Sequence, residues 1–273
     1  MLQDELTFAS ELARRAGAVA LEVYAGEHGV ELKGESNPVT VADRRINELL
    51  VDALRRRFPG DGIVAEESPD HGDALTARRC WFVDPLDGTK EFIAKNGEFS
   101  IMLGLALEGR AALGVVYQPV GDKLYRGVVG EGASLTHQGS TRALRVSTIA
   151  TPSALRLVVS RSHRGSETDS VVQALAITRE RPSGSVGIKV GLIAEQEADL
   201  YVHLTGHTCL WDSCGPEAIL VAAGGRLTDL FGAPIDYRSS QIKNARGLLA
   251  CNGAAFDAVL PVLASVARRS GMS

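Results

Sequence analysis

Trp81-Phe82-Val83-Asp84-Pro85-Leu86-Asp87-Gly88-Thr89-Lys90-Glu91-Phe92 joins an apolar run to a turned, acidic loop. Cys80 to Val83 reads as a buried strand that ends in a carboxylate. Pro85 fixes its own φ and has no N–H, so a regular strand is not expected to continue through it. Gly88 allows another group to approach closely, and Thr89 places a hydroxyl where a helix can begin. Asp84 and Asp87 suit a hard cation, and the free N–H groups of a helix start suit a phosphate. A plainer reading stays open: an Asx-turn closing the strand, with Asp87 and Thr89 as local caps.

Two other carboxylate clusters favour the first reading. Glu66-Glu67-Ser68 follows the apolar run Gly62 to Ala65, and Trp211-Asp212-Ser213 lies far downstream, just before a helix start. Carboxylates gathered at the ends of separate apolar segments are the pattern of a multi-metal site assembled from distant parts of a chain. The plainer alternatives are a solvated charge for Glu66 and a helix N-cap for Asp212, with Pro216 near the first turn of that helix. No G-x-S-x-G, catalytic cysteine motif or P-loop accompanies them, which agrees with water as the attacking group.

The bulk numbers narrow the field. A chain of 273 residues, 45% hydrophobic and 23% charged, can bury a large core. A net charge of −4 argues against binding a nucleic-acid polymer, yet it leaves a phosphorylated small molecule open, because bound cations would supply the local positive charge. Cys80, Cys209, Cys214 and Cys251 lack zinc-type spacing. Cys80 and Cys251 read as buried thiols, whereas Cys209 and Cys214 flank Trp211-Asp212. Asp4 and Glu5 stand where a secretory signal would be basic, and the longest apolar run, Phe99 to Val116, is interrupted by Glu108 and Arg110. The expectation is a cytoplasmic protein without an integral membrane span.

E-E-S, D-P-L-D-G-T and W-D-x-x-x-x-E-A-I-L together resemble the motif set of the inositol monophosphatase-like, Mg-dependent, lithium-sensitive phosphatases. Lys90-Glu91-Phe92, Asn96-Gly97-Glu98-Phe99-Ser100 and Ser160-Arg161-Ser162-His163 are most similar to the branch of CysQ-type 3′(2′),5′-bisphosphate nucleotidases. The resemblance runs from about Lys33 to Ala250. It implies a layered α-β-α-β-α sandwich of the sugar-phosphatase type, mixing α+β and α/β halves, with two or three Mg²⁺ ions per site. It implies Glu66, Asp84, the carbonyl of Leu86, Asp87 and Asp212 as metal ligands, with Glu67 behind them. Asp43 is implied to help activate the attacking water through Thr89 and a metal, while Thr40 and Asp43 also have the spacing of a capping box. Gly88 and Thr89 would offer N–H groups to the phosphate. Ser160, Arg161 and His163 would meet the rest of the nucleotide, and Lys189, in a G-S-x-x-x-K segment, a second phosphate. Trp211-Asp212-Ser213-Cys214-Gly215-Pro216 departs from the usual W-D-x-A-A-G, so the wall beside Asp212 differs.

The expected substrate is a small phosphorylated metabolite. Adenosine 3′,5′-bisphosphate, or 3′-phosphoadenylyl sulfate, would lose its 3′-phosphate. Inositol monophosphate and fructose 1,6-bisphosphate are the alternatives within the class, and a metal- or phosphate-binding regulatory module the alternative outside it. A homodimer stays open. Residues 1–149 are expected to form a unit of helices on an antiparallel sheet, and residues 150–273 an α/β unit. Helical periodicity covers Leu2 to Ala25 and Thr40 to Phe58, with a polar loop from Glu31 to Pro38 between them. Strands are expected through Gly62 to Leu135. Helices are expected at about Glu167 to Thr178, Ile188 to Glu197, Pro216 to Ala223 and Ala254 to Arg268, with strands at Leu155 to Ser160, Leu200 to Leu204 and Gly247 to Cys251.

Overall fold

The computed structural model describes residues 2–26, 30–33, 37–68, 72–162 and 164–272. Helix α1 (Gln3–Ala25), a hairpin of β1 (Val30–Lys33) and β2 (Asn37–Thr40), and helix α2 (Val41–Arg57) open the chain. Strands β3 (Gly62–Ala65) and β4 (Arg79–Asp87), the short helix α3 (Thr89–Ile93), and strands β5 (Ser100–Leu107), β6 (Arg110–Gln118), β7 (Lys123–Val128), β8 (Gly132–His137) and β9 (Ser140–Leu144) follow. Then come β10 (Arg156–Ser160), α4 (Ser166–Leu175), β11 (Arg179–Ser183), α5 (Val186–Ala194), β12 (Leu200–His203), α6 (Leu210–Ala222), β13 (Arg226–Thr228), β14 (Leu248–Cys251) and α7 (Phe256–Arg269).

Strands β3 to β9 form one sheet in sequence order, and a second sheet runs β11-β10-β12-β14-β13. Both are mixed. The first is not purely antiparallel as expected, because β3 pairs parallel to β4. The chain between them, with its short 3-10 turn Gly72–Thr76, carries it back to the same end of the sheet. In the second sheet β10, β11 and β12 are parallel and β14 runs against β12 and β13.

Side-chain alternation sets the layers. Trp81 and Val83 of β4 pack with Leu12, Ala16, Ile46 and Leu50 of α1 and α2, whereas Cys80 and Phe82 pack with Val190, Ile193, Cys214 and Leu220 of α5 and α6. In the second sheet Val158, Leu248 and Ala250 face α5 and α6, while Leu157, Val159, Leu249 and Cys251 face Val171, Leu175, Val259 and Leu263 of α4 and α7. The result is the expected α-β-α-β-α sandwich, with α5 and α6 as its central layer. Helices α5 and α6 carry few charges because both sides of them are covered.

Three local expectations are corrected. The segment Glu31 to Pro38 is not all loop: β1 and β2 pair antiparallel across it. Strand β4 continues past Pro85 to Asp87, because a register shift between Asp84 and Asp87 absorbs the missing donor. Helix α6 begins six residues before Pro216, so the proline lies inside the helix rather than near its start.

Candidate active site

The shift at Asp84-Pro85-Leu86-Asp87 turns both aspartates towards the central helices. Asp84 keeps the face of Cys80 and Phe82, and its Oδ1 accepts the N–H of Leu86 at 3.0 Å, so the Asx-turn is real as well. Asp87 Oδ2 accepts from Ser185 Oγ at 2.5 Å and from the N–H of Gly187 at 3.0 Å, which ties it to the first turn of α5. Asp212 is the third residue of α6, not its N-cap. Its Oδ2 accepts the N–H of Cys209, the cap residue, at 2.6 Å. Both helix N-termini thus face the carboxylates, where their dipoles favour negative charge.

Ligand oxygens of Asp84, Asp87 and Asp212 lie within 4.8 Å of one another. Glu66, Leu86, Gly88, Thr89, Ser160 and Lys189 line the same cleft, of about 520 Å³. Burial raises the carboxyl of Asp84 well above its usual range, and the charges of Glu66, Asp87 and Asp212 add to the rise. Asp87 is raised by burial, against the opposing pull of Lys189. Asp212 is pushed up to about 7, first by burial and then by Asp87. Three crowded carboxylates, each disfavoured in its charged form, make a donor set that fits a hard cation.

Gly88 has φ of +99°, and a Cβ there would lie 3.0 Å from the carbonyl of Glu98, so the close approach expected of it is present. Thr89 Oγ1 stands 3.3 Å from both Asp43 Oδ1 and the Leu86 carbonyl. Asp43 itself is 2% exposed and does not line the cleft. It sits behind Thr89 with its Oδ2 accepting the N–H and the hydroxyl of Thr40 at 2.7 and 2.5 Å, a complete capping box. Burial is the main reason its carboxyl is raised.

The residues expected to meet the nucleotide divide. Ser160 reaches the cleft, but Arg161 does not line it; its guanidinium makes two bonds of 2.7 Å to Glu98, whose carboxylate also accepts the N–H of Gly184. His163 lies outside the described residues. Lys189 is 3% exposed, its ammonium 5.1 Å from the Tyr201 ring centroid and in the field of Asp87, Glu91, Asp212 and Glu98. Ser185, Tyr201, His203, Thr205, His207 and Lys243 also line the cleft and were not singled out from sequence. Only Ser185 carried a signal, as the serine of the G-S-x-x-x-K segment. Cys209 borders the cleft, yet burial and the nearby carboxylates push its thiol up to about 12, so it is protonated and a poor nucleophile.

A mixed two-sheet sandwich with an aspartate cluster at the strand and helix ends defines a metal-dependent phosphomonoesterase class. The sequence matches the inositol monophosphatase family over residues 1–263, and the chain belongs to that family. It is 36% identical over 232 residues to the 3′(2′),5′-bisphosphate nucleotidase CysQ of Escherichia coli K12, covering 83% of this chain and 91% of that protein. The fold matches an inositol monophosphatase of Thermotoga maritima at a TM-score of 0.82, with 26% identity over 97% of this chain and 99% of that one. It matches CysQ of Bacteroides thetaiotaomicron at 0.77, with 28% identity over 92% and 98% of the two chains. Among the described residues no helix is long and apolar enough to cross a membrane.

Proposed function

We propose that this chain is a Mg²⁺-dependent 3′(2′),5′-bisphosphate nucleotidase that removes the 3′-phosphate of adenosine 3′,5′-bisphosphate or 3′-phosphoadenylyl sulfate. The observation that carries the metal part is the disposition of oxygens. Asp84, Asp87 and Asp212 each commit one carboxylate oxygen to a protein donor and keep the other for a cation. Single-oxygen donors suit a small six-coordinate ion that retains waters; calcium, which takes six to eight oxygens and often both of a carboxylate, fits less well. Glu66 and the Leu86 carbonyl complete the proposed ligand set, with Glu67 behind it.

Bound magnesium would supply the Lewis acidity that polarises the phosphoryl group and eases ionisation of a water. The protein's own contribution is positional. Thr89 Oγ1 donates a hydrogen bond to Asp43 Oδ1, which leaves its lone pairs to accept a hydrogen bond from the attacking water and so orient it. The N–H groups at Gly88 and Thr89 face the phosphate oxygens. Asp43 acts through Thr89 and is a positioning residue. Ser160 and Lys189 line the cleft and in this reading contribute to holding the remainder of the substrate, with the charge of Lys189 chiefly supporting Asp87 and Asp212.

The nucleotide assignment is supported by identity to the Escherichia coli CysQ. Phosphate release with Mg²⁺ from adenosine 3′,5′-bisphosphate, inositol 1-phosphate and fructose 1,6-bisphosphate, measured side by side, tests it. A strong preference for the nucleotide is expected. Preference for either sugar phosphate overturns the specificity and keeps the metal site, and no release from any of them favours a binding module.

A further inference from the structure

Resting on that reading of the same cleft, a second question is how it meets a substrate's other anionic group. Lys189 is a weak candidate on its own, because it is buried and its charge is shared among Asp87, Glu91, Asp212 and Glu98. Lys243 differs in each respect. It lines the cleft, its side chain is exposed, and among the described residues its ammonium makes no hydrogen bond or ion pair.

The backbone of Lys243 is held firmly although its side chain is free. Cys209 and Lys243 form an antiparallel bridge. The N–H of Leu210 donates to the carbonyl of Ile242, and the N–H of Asn244 to that of Thr208, both at 2.8 Å. Asn244 Nδ2 adds a bond of 2.8 Å to the carbonyl of Cys209. Cys209 is the residue whose N–H holds Asp212. The Cα of Lys243 is therefore about 5 Å from the cap of the helix that carries Asp212. From there a flexible four-carbon stem carries a point charge at the cleft that the residue lines.

We propose that Lys243 receives the anionic group that is not hydrolysed, and so sets a preference for bisphosphorylated over monophosphorylated esters. The chemical class it selects is a phosphate or sulfate ester one sugar away from the scissile phosphate. Neutralising a group already held at the aspartates would weaken both kinds of substrate alike; a distal contact weakens only the one with two anions.

The test compares adenosine 3′,5′-bisphosphate with adenosine 3′-phosphate in wild type and Lys243→Ala, with thermal melts confirming that both fold. The variant is expected to lose about tenfold in kcat/KM on the bisphosphate and to stay within about twofold on the monophosphate. Lys243→Arg should restore the preference, and added salt should narrow it in wild type only, because the contact is exposed. A ratio unchanged by Lys243→Ala, whether both activities fall or neither does, overturns the proposal. If wild type releases phosphate from neither nucleotide, the proposed function falls, and Lys243 is judged on fructose 1,6-bisphosphate against fructose 1-phosphate. Calorimetric titration of adenosine 5′-phosphate needs no turnover: about tenfold weaker binding to Lys243→Ala is expected, and equal binding overturns the proposal.

Discussion

Asp212 shows how one side chain serves structure and chemistry with separate atoms. Its Oδ2 caps α6 through Cys209, and its carboxylate lies within 4.8 Å of ligand oxygens of Asp84 and Asp87. The same division holds at Asp87, whose Oδ2 is taken by Ser185 and Gly187. Asp87→Asn therefore keeps an oxygen for those donors while removing a charge that the proposed metal site needs. Turnover should fall by at least about a hundredfold, and the metal-free protein should melt no lower than wild type, since the charge removed is one that burial disfavours. Parallel assays of phosphate release and thermal melting check both halves; wild-type turnover would remove Asp87 from the site. The aspartates were legible in sequence because strand ends and short motifs announce them. Arg161 misled for a physical reason. A loop arginine beside an apolar strand looks free until the fold brings Glu98, 63 positions away, into bidentate range.

At the scale of elements, α6 determines where Asp212 stands. It crosses β5 and β6 at backbone contact distance: a Cβ on Gly114 would lie 2.0 Å from the carbonyl oxygen of Gly215, and one on Gly104 would lie 2.4 Å from its nitrogen. Gly114→Ala must lift the helix, so a loss of about 2–3 kcal/mol in a denaturant melt is expected, with a higher Mg²⁺ requirement as Asp212 moves. Helix α6 also carries Glu217, which accepts the Tyr237 hydroxyl at 2.6 Å and is raised by burial from 4.5 to about 7. Between those values the native state holds a proton that the unfolded chain has lost, so stability falls as pH rises through the interval, by about 3 kcal/mol in all. Glu217→Gln should remove that part of the slope, leaving the part due to the raised aspartates. It should melt above wild type at pH 8 and close to it at pH 4.5, and a constant offset across pH would refute the account. Pro216 reads locally as a first-turn residue, which sets the expected start of α6 six residues too late. Close packing on two glycine-bearing strands outweighs it, and that packing is a tertiary fact invisible to a helix-propensity argument.

For the whole molecule, the layer order was legible and the pairing less so. Alternation in β4, β10 and β14 announces faces, but it cannot reveal that β3 runs parallel to β4, or that the polar segment Arg179–Ser183 forms the edge strand β11. Magnesium binding only to the native state should raise stability by about 2.7 kcal/mol at a hundred times its Kd, and a chelator should reverse the shift. Asp212→Asn should show no such shift. Lithium at millimolar concentration is expected to inhibit phosphate release, as the resemblance implies. The grouping of Asp84 and Asp87 from the end of an interior strand of one sheet with Ser185, Gly187 and Asp212 from the layer between the sheets has a mechanical side. A cation placed there acts as a rivet through two layers whose chain segments lie about a hundred residues apart. Loading it should slow amide exchange at the starts of α5 and α6 together, and hold the sandwich shut from within.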